Sequence, residues 1–102
     1  MIYPVIFAPE AFAQLDALQA YIAVVDAPMA AKRFVDEIVD YCLRFDQFPM
    51  RGVAREDLRP GLRLIGYRRR ATIAFSVKPD RVDILGVFYG GQNIEAAFGA
   101  DD

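Results

Sequence analysis

A chain of 102 residues, 55% apolar and 25% charged, supports one domain over 1–102 with one core, and is too apolar to be disordered as a whole. One cysteine excludes an internal disulfide framework. Without any histidine, no metal site and no cofactor are expected, and a reducing cytoplasm is the expected setting. The net charge of −2 hides an uneven distribution: nine basic residues face three acids between Arg51 and Arg81, leaving about +6 there and about −4 on either side.

The amino-terminal run Ile2 to Phe7 reads as a first strand, with Pro4 at an edge or at its start. It carries no basic region and is broken by Pro4 and Pro9, so neither a signal peptide nor a membrane span is expected. Pro9 suits the first position of a helix, with Glu10 at the positive end of its dipole. Ala11, Leu15, Leu18, Ile22 and Val25 then repeat a spacing of four and three, the stripe of a helix buried on one face. Asp26-Ala27-Pro28 breaks that helix and opens a second, whose stripe is Ala31, Val35, Ile38, Cys42 and Phe45. A parallel stripe of Phe34, Ile38, Tyr41, Phe45 and Phe48 widens its buried face, so the second helix is expected to pack on both the first helix and a sheet.

Met50 to Gly61 reads as a loop carrying Arg51, Arg55 and Arg59. From Arg59 to Gln92 the period changes to two, giving three strands joined by tight turns: one around Leu62 to Tyr67, one around Thr72 to Lys78, and Val82 to Tyr89. Lys78-Pro79-Asp80-Arg81 is the second turn. The last run sets Val82, Ile84, Gly86 and Phe88 against Asp83, Leu85, Val87 and Tyr89, apolar on both faces, as a covered strand requires. Gly90-Gly91 allows a bend, and Asn93 is placed to cap a short helical turn ending near Phe98. The expected fold class is α+β: an amino-terminal strand, a helical hairpin and a three-stranded antiparallel meander, in one sheet.

Little in the chain suits catalysis. There is no phosphate-binding glycine loop, no HExxH and no Gly-x-Ser-x-Gly elbow, and Ser76, the only serine, has no histidine to activate it. The helix carboxylates Asp16, Asp36, Glu37 and Asp40 read as a solvated face. The arginines suit phosphates or an acidic partner, because a planar guanidinium pairs with either. RNA cleavage also needs a proton acceptor and a donor, and the candidates are only Lys78, Tyr67, Tyr89 and scattered carboxylates.

The order of elements and its residues resemble the ParE branch of the ParE/RelE superfamily of bacterial type II toxins. The resemblance runs from Tyr3 to Asn93. It is carried by Phe7-Ala8-Pro9-Glu10-Ala11 with Leu15 and Tyr21-Ile22, by Pro28 with Ala30-Ala31 and Phe34, by Phe48-Pro49-Met50-Arg51-Gly52 and Arg59-Pro60-Gly61-Leu62-Arg63, and by Val82 to Gln92. It implies a toxin neutralised by a ParD-like antitoxin in a heteromeric complex, with DNA gyrase as the target through protein contact. No catalytic residue and no direct sequence-specific nucleic-acid binding are implied. The implied antitoxin surface comprises Arg63, Arg68, Arg69, Arg70, Arg81, Leu85, Val87, Tyr89, Ile94 and Phe98. The alternative is the superfamily's other branch, a ribosome-dependent mRNA endoribonuclease, for which Arg63, Arg81 and Tyr89 would be the catalytic set. The chain departs from that branch in having Tyr89-Gly90 where relatives close with histidine-glycine, and only Lys32 and Lys78 as lysines.

Overall fold

The computed structural model describes residues 3–90 and 92–98. Two prolines open the helical hairpin. Pro9 begins α1 (Pro9–Val25) and Pro28 begins α2 (Pro28–Leu43), each where a helix has no use for an N–H and where a fixed φ is already helical. Neither Ala8 nor Ala27 offers a side-chain cap. Four members of the α1 stripe (Ala11, Leu15, Leu18, Ile22) and all of the main α2 stripe are buried as the spacing predicts. Two positions depart from it. Val25 lies at the last turn of α1, where the stripe has run off the sheet, and is exposed. Phe48 lies beyond α2, which ends in a single 3₁₀ turn at Arg44–Asp46, and it is 81% exposed where a buried face was expected.

The sheet contains β1 (Val5–Phe7), β2 (Val53–Ala54), β3 (Leu62–Tyr67), β4 (Ala71–Val77) and β5 (Val82–Tyr89), in the spatial order β1-β5-β4-β3-β2. The meander β3-β4-β5 is antiparallel, and β1 joins it parallel to β5 with Val5 opposite Val82. The sheet is therefore mixed and has five strands rather than four. The extra strand, β2, falls in the stretch read as a loop, because two residues carry no periodicity; its pairing with Leu64 and Arg63 defines it. Ile2 and Gly91, assigned to the first strand and to the bend after the sheet, lie outside the described residues.

The strict alternation expected along β5 fails at one point. Ala74 pairs with Gly86 but Phe75 pairs with Ile84, so Leu85 is an extra residue, a β-bulge. Slipping by one residue moves every later side chain to the other face. Val82, Ile84, Val87 and Tyr89 thus face the helices, with Tyr67, Ile73 and Phe75, while Phe88 turns to the opposite face. Gln14 of α1 supports the bulge, its Oε1 accepting the Val87 N–H at 2.7 Å. A Cβ at Gly86 would lie 2.8 Å from that same oxygen and 2.8 Å from the Phe88 ring, so a larger residue there would push both side chains aside. The opposite face has its own smaller core of Leu62, Ala74 and Phe88, covered by Leu58 and by α3 (Ile94–Phe98). Asn93 caps α3 as the sequence suggests, its Oδ1 accepting the Ala96 N–H at 3.0 Å.

Cys42 sits at the centre of the main core, fully buried, and burial pushes its thiol up from 9.0 to about 12. The sign of the linkage follows. A raised folded-state pKa means the unfolded chain releases this proton first, so the contribution is intact below pH 9 and is lost as pH rises from about 9 toward 12. Urea midpoints should therefore fall more steeply between pH 8 and pH 10.5 for the wild-type chain than for Cys42→Ala, and an aromatic disulfide reagent should label the thiol only on unfolding.

Candidate functional site

Three residues, Arg68 to Arg70, join the paired Tyr67 and Ala71 at the tip of the β3–β4 hairpin. Arg68 and Arg69 both have positive φ, 52° and 57°, and the Arg70 N–H donates to the Tyr67 carbonyl at 3.0 Å. That is the type I′ geometry matching the twist of a hairpin, usually built from Asn-Gly; here two arginines adopt it at a conformational cost of order 1 kcal/mol each. Arg68 bridges Glu37 of α2 at 2.9 Å and stacks on Tyr67. The Arg70 guanidinium lies 4.8 Å from the Phe34 ring centre and donates to the Tyr89 hydroxyl at 3.0 Å. Arg69 is exposed and forms no ion pair among the described residues.

Tyr89 borders a cleft of about 380 Å³ between α1 and the end of β5, lined also by Gln14, Tyr21, Gly90 and Gln92. The Tyr21 and Tyr89 rings stand 5.6 Å apart, and Gln92 Oε1 accepts the Tyr89 N–H at 2.7 Å. This end of the molecule thus brings together Arg68, Arg69, Arg70 and Tyr89 of the expected surface.

The remaining expected residues lie elsewhere. Val87 is 2% exposed and belongs to the main core, so it offers no side-chain surface. Leu85, Ile94 and Phe98 are half-buried around the small core of the opposite face, where Arg59 stacks on Phe98 and Arg55 reaches Glu95. Arg63 projects toward the β2 edge, its Nε donating to the Arg51 carbonyl at 2.7 Å. Arg81 lies at the far end of β5, bonded to Asp83 at 2.9 Å and near Asp80; the bond to Asp83 raises its pKa and keeps it charged. Among the described residues no group of three or more His, Cys, Asp and Glu side chains gathers to hold a metal.

Sequence reasoning missed two apolar surfaces. One is Tyr21, Val24, Val25 and Met29 at the turn of the helical hairpin; the other is Leu43, Phe48, Met50 and Val53 beside β2, all exposed. Apolar spacing identified these residues as core candidates or passed over them, because it cannot tell where a helix leaves the sheet that covers it.

A helical hairpin on a mixed sheet, with its cations engaged by rings, carbonyls and nearby acids, defines a small α+β protein built to present surface. The family model for the ParE toxin of type II toxin-antitoxin systems (parDE) matches residues 5–94, and the chain belongs to that family. A chain in the solved structure of the chromosomal ParDE TA system from P. aeruginosa superposes with a TM-score of 0.75 at 26% identity, covering 86% of this chain and 96% of that one. No curated protein matches this chain.

The Arg70–Tyr89 contact is measurable in isolation. A double-mutant cycle with Arg70→Ala and Tyr89→Phe, which removes the hydroxyl and keeps the ring, should give by urea unfolding a coupling of about 0.5–1 kcal/mol, that of one exposed hydrogen bond.

Proposed function

We propose that this ParE-family toxin works by protein contact on DNA gyrase in the cytoplasm and is neutralised by a ParD-like antitoxin encoded beside it. The observation that carries the reading against an RNA-cutting one is the separation of the three candidate catalytic groups. Arg81 immediately precedes β5 and Tyr89 is its last residue, which sets them roughly 25 Å apart at ~3.3 Å per residue. Arg63 shares a register row with Phe75 and Ile84, about 15 Å along the sheet from Tyr89 on the same spacing. A single scissile phosphate needs its acid, base and clamp within hydrogen-bond reach. The Tyr89 hydroxyl already accepts from Arg70, and Arg81 is held by Asp83. No helix among the described residues is long and apolar enough to cross a membrane.

For the antitoxin, the best-supported surface is the end of the molecule bearing Arg68, Arg69, Arg70 and Tyr89, flanked by exposed Tyr21, Val24 and Met29. Apolar side chains beside arginine are the composition of interface centres, and a tail with acids among apolar residues would complement them. The exposed parts of Leu85, Ile94 and Phe98, with Arg63 and Arg81, would extend the contact along the sheet.

Purified toxin should block gyrase supercoiling or promote gyrase-dependent DNA breaks, and should leave ribosome-bound mRNA uncut. Tyr89→Phe should stay toxic, because no hydroxyl is asked to move a proton, whereas Arg69→Glu should weaken antitoxin binding measured by calorimetry. Cleavage of messages at the ribosome with gyrase running normally would reverse the assignment.

A further inference from the structure

The segment Phe48 to Val53 is held out from the body of the protein by a device that core packing does not require. Phe48 has φ +53°, a left-handed conformation disfavoured for a bulky side chain, and its ring is 81% exposed. Met50 and Val53 beside it are 68% and 65% exposed. Arg51, between them, turns inward: its Nε donates to the Phe48 carbonyl at 2.9 Å and its Nη2 to the carbonyls of Gln47 at 2.9 Å and Arg44 at 3.1 Å. Its guanidinium also covers the Phe45 ring at 5.0 Å. One side chain thus satisfies carbonyls left at the end of α2 and its 3₁₀ turn, and fixes the following loop against them. Gly52 closes the device. It has φ +67°, and a Cβ there would lie 2.1 Å from the Leu64 carbonyl oxygen, so backbone rests on backbone.

The result is a segment tied down by hydrogen bonds in which large apolar side chains face water at a conformational cost. Left exposed, such a group is unfavourable; pre-organised, it is a docking anchor whose ordering is complete before binding. The charge around it selects the partner. Arg51 lies within the projection, Arg63 donates to its Arg51 and Gly52 carbonyls, and Arg44, whose carbonyl Arg51 bonds, stands at its base; no carboxylate among the described residues bridges any of them. Arg51 and Arg63 are bonded to backbone carbonyls, which leaves their charge uncompensated. An exposed aromatic needs a preformed pocket, which a folded protein can supply and a flexible tail cannot.

We infer that Phe48, Met50 and Val53 are the toxin's anchor on its protein target, seated in an apolar pocket rimmed by carboxylates that meet Arg44 and Arg51. The target is gyrase if the function proposed above holds, and the inference rests on that reading for the target's name. The surface lies at the β2 edge, whereas the arginine turn assigned to the antitoxin lies at the β3–β4 hairpin tip.

The test compares wild-type toxin with Phe48→Ser, Met50→Ser and Arg44→Glu in three assays: gyrase supercoiling, growth arrest on induction, and affinity for the product of the neighbouring gene. These side chains are exposed, so melting temperature and Cys42 protection should match wild type and certify the fold. The expected result is inhibition and growth arrest weakened roughly tenfold or more by each apolar substitution, as for interface anchors, with antitoxin affinity within about twofold of wild type. Variants as inhibitory and toxic as wild type would overturn the inference and leave gyrase as target untouched. Loss of antitoxin affinity in step with toxicity would overturn it too, by giving the projection to the antitoxin. If wild-type toxin arrests growth without affecting gyrase, the proposed target fails, yet loss of arrest in folded Phe48→Ser with antitoxin binding kept would still support this surface.

Discussion

The register break at Leu85 is the constraint on which the rest of the molecule depends. β5 is the one strand paired both to the parallel edge strand β1 and to the meander, and it packs against α1. Had its alternation continued, Val87 and Tyr89 would face away from the helices and Phe88 would be driven into them. The extra residue lets Ile84 and Val87 both enter the main core and delivers Phe88 to the second face, where Leu62, Ala74, Ile94 and Phe98 enclose it. β1 pairs only with Val82 to Ile84, so beyond it no strand meets the Val87 N–H, and Gln14 accepts it. The same side chain locks α1 over the strand, with Ala8 donating to the Ile84 carbonyl at 2.9 Å at the start of that helix. Tyr89 therefore reaches the helix side of the sheet, where Arg70, Tyr21 and Phe34 surround it.

The arginines show a second regularity. A segment carrying about +6 would repel itself if each guanidinium simply stood in water, and it has few acids of its own. The fold spreads these cations around the sheet and gives them partners other than carboxylates: Arg51 and Arg63 take backbone carbonyls, Arg59 and Arg70 take aromatic rings. Among the described residues, only Arg55, Arg68 and Arg81 of the segment pair with acids. An arginine engaged with a carbonyl or a ring keeps its full charge, so the surface remains attractive to an acidic partner while the side chains that carry it are already ordered. That arrangement favours recognition over proton transfer, which is what the proposed action by contact asks of the surface.

Much of this was legible in the sequence. Prolines at 9 and 28 and the stripes from Ala11 and Ala31 gave both helices, the period of two gave the meander, and Asn93 gave the last cap. What was not legible has physical reasons. A two-residue strand such as β2 has no period, and a bulge is invisible to a pattern that assumes constant alternation. Gly86 was the one local hint, since a glycine inside a strand often marks a bulge or a close backbone approach. The type I′ turn lacked its usual Asn-Gly, so Arg68-Arg69 read as charge rather than as geometry. Of the candidate surface, Arg68, Arg69, Arg70 and Tyr89 converge as the strand pattern allowed, whereas Val87 was placed outside by an alternation that the bulge reverses. Phe48 was read as the end of a helix stripe because nothing in its spacing reveals that α2 stops at Leu43.

Amide hydrogen exchange at Val87, followed by NMR in the wild-type chain and in Gln14→Met, tests the bulge and its support most directly. If Gln14 holds the register break, the wild-type Val87 amide should exchange as slowly as that of Ile73, through global unfolding only. In Gln14→Met it should become locally labile, with stability reduced by about 1–3 kcal/mol, the range for a buried donor left unpaired. A Val87 amide that exchanges as fast as an exposed loop in the wild-type chain, or that stays equally protected in Gln14→Met, would contradict the account.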